Sequence, residues 1–375
     1  MKAPILSFGV AALLAGLFMG CNRSSQTIKV GGLVALTGEV ATFGAASRNG
    51  YQMAVQEWNQ RGGVLGRPLE LVIRDDQGHP AQSMDLVTRL IEYDRIVGLL
   101  GANLSKVSLV AAPIAQAAGI PMISPSSSDP RLTGTGDFIF RVCFTDRDQG
   151  AAGALFAFRD LKARKAACIF DGGDSFPAEV AQVFKDKFTS LGGQVVDFQE
   201  HASGAANLKP LVAKVLGSRP DVLYLSDFYP DAVLIAREAR TQGFKGAPVG
   251  GDGWDSPKLV PAGNLGLDSG FFTTDFSKDE DRPIVQDFVR KYRARHQEDP
   301  SAFAALAYDA ANVLFDAIQR AGSTSGAAIK AALRDTDYPG VSGRIRFGPE
   351  RNPIKSSIVI EIKGGRMLYR GSIAP

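Results

Sequence analysis

The chain has 375 residues, too many for one ordinary hydrophobic core, so two domains are the natural expectation. Apolar content of 45% and charged content of 22% are those of a soluble globular protein, and the formal charge is only +3. Basic residues are dispersed and the three histidines (His79, His201, His296) lie in separate polar segments, so neither a nucleic-acid patch nor a metal cluster is readable.

The first twenty residues stand apart. Lys2 precedes the apolar run PILSFGVAALLAGLFMG, shorter than a comfortable membrane span, and Cys21 follows directly after Gly20. A membrane anchor and a cleaved signal peptide compete here. The small residue before the cysteine resembles the lipobox of bacterial lipoproteins, whose cysteine carries a diacylglyceryl group; Phe18 departs from the usual aliphatic three residues earlier. That resemblance implies a signal peptide over 1–20, then a lipidated Cys21 and polar tether over 21–26. Cys143 and Cys168, the other cysteines, occupy apolar strand-like positions, which favours buried free thiols over a bridge.

From Thr27 the chain alternates strands and helices. TIKVGGLVAL reads as a strand, GYQMAVQEWNQRGG as a helix stopped by glycines, PLELVIRDD as a strand, AQSMDLVTRLIEYD as a helix and IVGLLGA as a strand. SKVSLVAAPIAQAAG is the next helix and IPMIS the next strand. After FIFRVCFTDRDQG comes a second set: strands KAACIFD, QVVDFQEH, DVLYLSDF and APVGGDG, with helices around AEVAQVFKDKFTSLGG, LKPLVAKVLGS and PDAVLIAREARTQG. Strand GFFTTDF leads to two long helices, RPIVQDFVRKYRARHQ and AFAALAYDAANVLFDAIQRAG. Strands GRIRF, SSIVIEI and MLYRG finish the chain. Continuously apolar strands between amphipathic helices imply an α/β fold of two doubly wound lobes with parallel sheets covered on both faces.

In such sheets, ligands sit at the carboxyl ends of strands near helix N-termini. Four junctions of that kind are rich in small or polar residues: VALTGEVATFG, LLGANLSKVS, MISPSSSDP and PVGGDGWDS. Ser105 sits where a helix should begin, as an ordinary N-cap or as a ligand donor. The serines of the third junction are a plain turn or an anion socket. Asp252 lies between glycines at a strand end. If it faces a closed cleft it needs a cation, and a ligand ammonium is the natural partner. Phe43, Phe176, Phe228 and Trp254 all follow strand ends, where loop is expected more than core.

LTGEVATFGAASRNGYQMAVQEWNQRGGVLGRPLELVIRDDQGHP resembles the opening of type I periplasmic binding proteins, and more narrowly of the leucine/isoleucine/valine-binding receptors of ABC transporters. GANLSKVS, IPMISPSSSDPRLT, DFIFRVCFTDRDQG, DVLYLSDFYPDA and AFAALAYDAANVL continue the likeness in order. The resemblance implies an α-carboxylate held by Ser105 and Ser128, with Ser126 offering its backbone, and an α-ammonium held by Asp252, where a glutamate is common. Phe43, Phe228 and Phe176 fall where the family often has tyrosine, with Ser175 a rival for the last; a drier pocket for an apolar or aromatic amino acid follows.

It also implies lobe 1 over 27–144 plus 276–350, lobe 2 over 145–275 plus 351–375, and hinge crossings near 144–147, 274–276 and 348–356. The expected protein is a monomer without cofactor, exported and lipid-anchored, that closes on an amino acid and is read by a membrane permease. The alternative is a sensor for amides, short acids or amino acids acting with a separate signalling partner. GxSxG, HExxH, P-loop and strand-borne GxGxxG motifs are missing from the sequence, and Asp75 and Asp76 point to opposite faces of a strand, which argues against an enzyme.

Overall fold

The computed structural model describes residues 27–259 and 266–375; the expectations for residues 1–26, Cys21 among them, lie outside the described residues. The first half of the fold runs β1 (Ile28–Val34), α1 (Ala41–Gln60), β2 (Leu69–Asp75), α2 (Pro80–Glu92), β3 (Leu99–Leu100), α3 (Ser105–Ala117), β4 (Met122–Ser124), α4 (Arg131–Gly134) and β5 (Ile139–Arg141). These strands form a parallel sheet in the order β2-β1-β3-β4-β5. Strand β1 is buried at nearly every position because helices cover both faces.

The chain then enters α5 (Asp146–Arg159), started by a capping box in which Thr145 and Asp148 satisfy each other's backbone N–H groups. β6 (Lys165–Asp171), α6 (Ser175–Ser190), β7 (Gln194–His201), α7 (Lys209–Gly217), β8 (Val222–Leu225), α8 (Tyr229–Thr241), β9 (Ala247–Gly250), a short 3-10 turn (Asp252–Trp254) and β10 (Gly270–Thr274) follow. Next come α9 (Pro283–His296), α10 (Ala302–Ala321), α11 (Gly326–Arg334), the hairpin β11 (Asp337–Gly340) and β12 (Gly343–Arg346), then β13 (Ser357–Lys363) and β14 (Arg366–Ile373).

The second sheet has seven strands in the order β14-β13-β10-β9-β8-β6-β7. It is mixed: β13 runs antiparallel to β10, and β14 antiparallel to β13. Helices α9 to α11 return to the first sheet, where Phe288, Leu306, Leu314 and Ile329 share a core with Val30, Leu100 and Phe140. Three passages between the halves thus follow β5, follow β10 and precede β13. Buried Lys355 ties them together: its ammonium pairs with Asp275 at 2.9 Å and donates to the Val142 carbonyl at 3.1 Å, and Asp275 in turn accepts from the Phe144 N–H.

Helix α1 starts nine residues before the GYQMAVQEWNQRGG segment read from the sequence. The extra turns carry ATFGAAS, whose glycine argues against helix by propensity. Here the glycine is required by packing, since a Cβ on Gly44 would sit 2.0 Å from the Ala35 carbonyl oxygen. Hairpin β11–β12 and helix α11 also lie in a stretch where the sequence reading named only GRIRF. Cys143 and Cys168 are buried free thiols, and burial raises the pKa of both.

Candidate functional site

The serine-rich turn after β4 packs against the segment between β3 and α3. Most of its hydroxyls are committed to holding it there. Ser124 donates to the Ala102 carbonyl at 3.1 Å, Ser127 to the same carbonyl at 3.0 Å, and Ser126 to the Asn103 carbonyl at 3.0 Å. Beneath the turn, buried Arg141 donates to the Ser127 and Asp129 carbonyls at 2.8 and 2.6 Å, which fixes the backbone and puts a positive charge below it. Ser105 is the first residue of α3 and does not cap it: the preceding residue is Leu104, with no side-chain cap. The Ser105 hydroxyl accepts from the Asp129 N–H at 3.2 Å, so its own proton remains free to donate. Ser128 lies beside the buried Asp146 carboxyl, and the Asp146 backbone N–H donates to the Ser128 carbonyl at 3.0 Å.

A narrow cavity with about 20 Å³ of free space lies at this turn. The first half lines it with Asn103, Leu104, Ser105, Lys106, Ser126, Ser128 and Phe303; the second supplies Asp174, Phe176, Phe228 and Asp252. Every contributing loop from the two sheets leaves the carboxyl end of a parallel strand, and Ser105 and Phe176 occupy the first turns of α3 and α6. Phe176 and Phe228 stack at 5.2 Å with 20° between their planes. The two halves also touch around the cavity, through Thr42 and Ser256 at 3.1 Å, the Tyr229 hydroxyl on the Glu39 carbonyl at 3.1 Å, and the Lys106–Asp174 ion pair at 2.9 Å.

Asp252 is the electrostatic anomaly. Burial pushes its carboxyl up to about 8, against a nearby Gln149 amide, and Asp275, Asp146 and Asp255 raise it further. The Gln149 amide itself closes no well-formed hydrogen bond. The charges that act most strongly on Asp252 are acidic, so the site favours a cation.

Six residues singled out in the sequence line the cavity: Ser105, Ser126, Ser128, Phe176, Phe228 and Asp252. Phe43 and Trp254 do not. Phe43 lies inside α1, stacked at 3.9 Å on Phe303, so it supports the phenyl that reaches the cavity. Trp254 turns back into the core against Phe272, over a glycine at which a Cβ would stand 2.2 Å from the indole. Phe303, Asn103, Leu104, Lys106 and Asp174 line the cavity without having been singled out in the sequence. Phe303 sits within an apolar helix that reads as core throughout, and Asp174 serves as the N-cap of α6, accepting from the Phe176 N–H at 3.1 Å.

The periplasmic binding protein family model matches residues 27–366 of this chain. The chain belongs to that family. A leucine-binding protein, LivK, from Thermotoga maritima is 33% identical, with a TM-score of 0.88 over 93% of this chain and 99% of that one. The branched-chain amino acid substrate-binding protein LivJ from Streptococcus pneumoniae, solved with isoleucine, is 28% identical with a TM-score of 0.89, covering 93% of this chain and 100% of that one. A solute-binding protein from R. palustris solved with benzoate is 25% identical with a TM-score of 0.83, covering 93% and 97%. In this periplasmic binding protein the cavity lies between the two sheets' carboxyl ends, as the general rule for open α/β sheets requires.

Proposed function

We propose that the protein is the extracytoplasmic substrate-binding component of an ABC transporter, and that it closes on an amino acid with an apolar or aromatic side chain. The observation that carries this reading is the cavity's polarity. Hydroxyl donors at a helix N-terminus and a serine turn stand on one wall, and a buried carboxylate lacking a cation stands on the other. Three phenyl rings lie between them. A zwitterion meets both walls at once: its carboxylate takes the Ser105 proton and backbone N–H groups in the positive field of α3, and its ammonium ionises Asp252. Each hydrogen bond to a charged group contributes about 1.5–3 kcal/mol, enough together for micromolar binding at about −8 kcal/mol.

The relatives named for leucine and bound to isoleucine support the ligand class and the ABC role. The rest of the reading is periplasmic delivery to a permease, a lipid anchor at Cys21, a monomeric state, and hinge motion at the passages that follow β5 and β10 and precede β13. Bridging the halves favours the closed form by the ligand's differential affinity for it.

One observation favours a second reading. A neutral Asp252 among phenyl rings also suits an aromatic acid without an ammonium group, the class to which the benzoate-bound relative's ligand belongs. A thermal-shift screen of residues 22–375 separates the two. Leucine and phenylalanine are run beside their des-amino counterparts and benzoate, and bound ligand raises the melting temperature by mass action. Stabilisation by amino acids alone supports the proposal; stabilisation by the des-amino acids alone overturns it in favour of the second reading.

A further inference from the structure

The mouth of the cavity carries a charge arrangement that the ligand's own groups do not require. Lys106 follows Ser105 on α3 and reaches across to Asp174, the cap of α6, at 2.9 Å. The Asp174 side chain is nearly buried and the Lys106 side chain is 41% exposed, so the pair sits at the boundary between cavity and solvent. Both residues line the cavity.

The surrounding rim is acidic from both sides. The Glu39 backbone is held by the Tyr229 hydroxyl of α8, and burial, followed by the field of Asp231, Asp171 and Asp174 of the second half, raises its carboxyl pKa, with Lys106 opposing them. Bringing the halves together therefore places Glu39 of the first half in the field of second-half carboxylates, and the Lys106–Asp174 pair is the one ion pair across this rim among the described residues.

Resting on the reading that the two halves close around a ligand, we propose that Lys106 and Asp174 form a latch across the cavity mouth that sets ligand residence time by stabilising the closed state. The latch works at the rim: opening the cleft separates the pair and rehydrates both ends, and closing re-forms it whatever side chain the ligand carries. It also neutralises part of the acidic rim, so loss of Lys106 costs attraction and exposes repulsion together. Lys106 and Asp174 are positioning residues here, since neither is assigned to the ligand's carboxylate or ammonium.

The test is a double-mutant cycle with Lys106→Met and Asp174→Asn, using L-leucine and benzoate as probes. Met keeps the aliphatic stem, and Asn keeps an acceptor for the Phe176 N–H, so both variants retain the local fold. Each single change should raise Kd about three- to tenfold, chiefly through a faster off-rate, and the double variant should be no weaker than either single. The wild-type Kd should rise between low and high salt, while that of Lys106→Met stays flat or falls as screening relieves the rim. Unchanged Kd and off-rate in Lys106→Met would overturn the latch. So would an undiminished Lys106→Met effect in the Asp174→Asn background, which would assign the lysine to the ligand's carboxylate instead. If neither probe binds the wild type, the functional reading fails on its own. The latch is then read in the ligand-free protein by small-angle scattering at low salt and pH 5.5, where the buried carboxyls are protonated and the empty cleft can close: a smaller radius of gyration for wild type than for Lys106→Met supports it and equal radii refute it.

Discussion

Replacing Asp252 with asparagine separates three effects that the structure entangles. The substitution keeps shape and one acceptor oxygen but removes the charge. For a zwitterionic ligand it breaks a buried ion pair and strands the ammonium, which costs roughly 3–5 kcal/mol, or about 150- to 5,000-fold in Kd. The remaining amide oxygen still accepts a hydrogen bond, so the loss should fall near the lower end. For a ligand without an ammonium group nothing is lost. The wild-type carboxyl must stay protonated beside such a ligand, so Asp252→Asn should bind benzoate or a des-amino acid as well as wild type or better.

The third effect is on the empty protein. A carboxyl raised from 3.8 to about 8 by burial supports the closed form when protonated, and that support is lost as pH rises from 4 through 8. Ligand-free Asp252→Asn should therefore match wild type near pH 4 and exceed it in melting temperature by pH 8, with a saturating zwitterion reversing the order. Calorimetry and thermal shift at pH 5, 6.5 and 8 measure all three. An amino-acid affinity within threefold of wild type would refute the ammonium assignment.

Two other substitutions test separate parts of the frame. Ser105→Ala removes the free donor and should weaken amino acids at least tenfold by calorimetry; Ser126→Ala breaks a turn-to-loop hydrogen bond and should lower stability by about 1 kcal/mol with less effect on Kd. Lys355→Met leaves Asp275 buried and unpaired, a loss of about 3–5 kcal/mol that should lower the melting temperature by roughly 5–15 °C, with Asp275→Leu in the same chain restoring most of it.

Alternating periodicity made the strand and helix order legible, and with it the junctions that line the cavity. Failures came where tertiary packing overrode a local signal. Composition puts Phe43 in a loop because ATFGAAS is rich in small residues, yet those residues let α1 press against the Ala35 backbone. Trp254 follows a strand end and still belongs to the core, because the turn after β9 folds it back over Gly250. Phe303 reaches the cavity from the first turn of a helix buried along most of its length, and nothing in its neighbours marks that end as different. The Lys106–Asp174 pair joins residues 68 positions apart, so no spacing rule reaches it. The serine turn was legible as a polar junction, but its division of labour was not. Only geometry shows that Ser124, Ser126 and Ser127 hold the turn, while Ser105 on α3 keeps a proton free to donate.

That division bears on why closure should depend on ligand. Asp146, Asp252, Asp255 and Asp275 are all buried around the cavity and the passages beneath it, against the buried cations Arg141 and Lys355. Burial raises Asp146 to about 7 and Asp255 to about 6, although Asp255 accepts from the Ala302 N–H and the Thr274 hydroxyl. Lys355 is committed to Asp275, and Arg141 to the turn carbonyls. An empty closed cleft must therefore take up protons or hold unpaired charge, and either disfavours closing. Under the proposed function, a zwitterion would supply the missing cation at Asp252 and meet the serine turn with its carboxylate. Moving a two-state protein from 1% to 99% closed needs about 5.5 kcal/mol of differential binding. An ion pair worth roughly 3–5 kcal/mol when broken, together with carboxylate hydrogen bonds made fully only when both walls meet, reaches that figure. Under that same proposed function, the acid excess makes the empty form reluctant to close, so that closure reports occupancy.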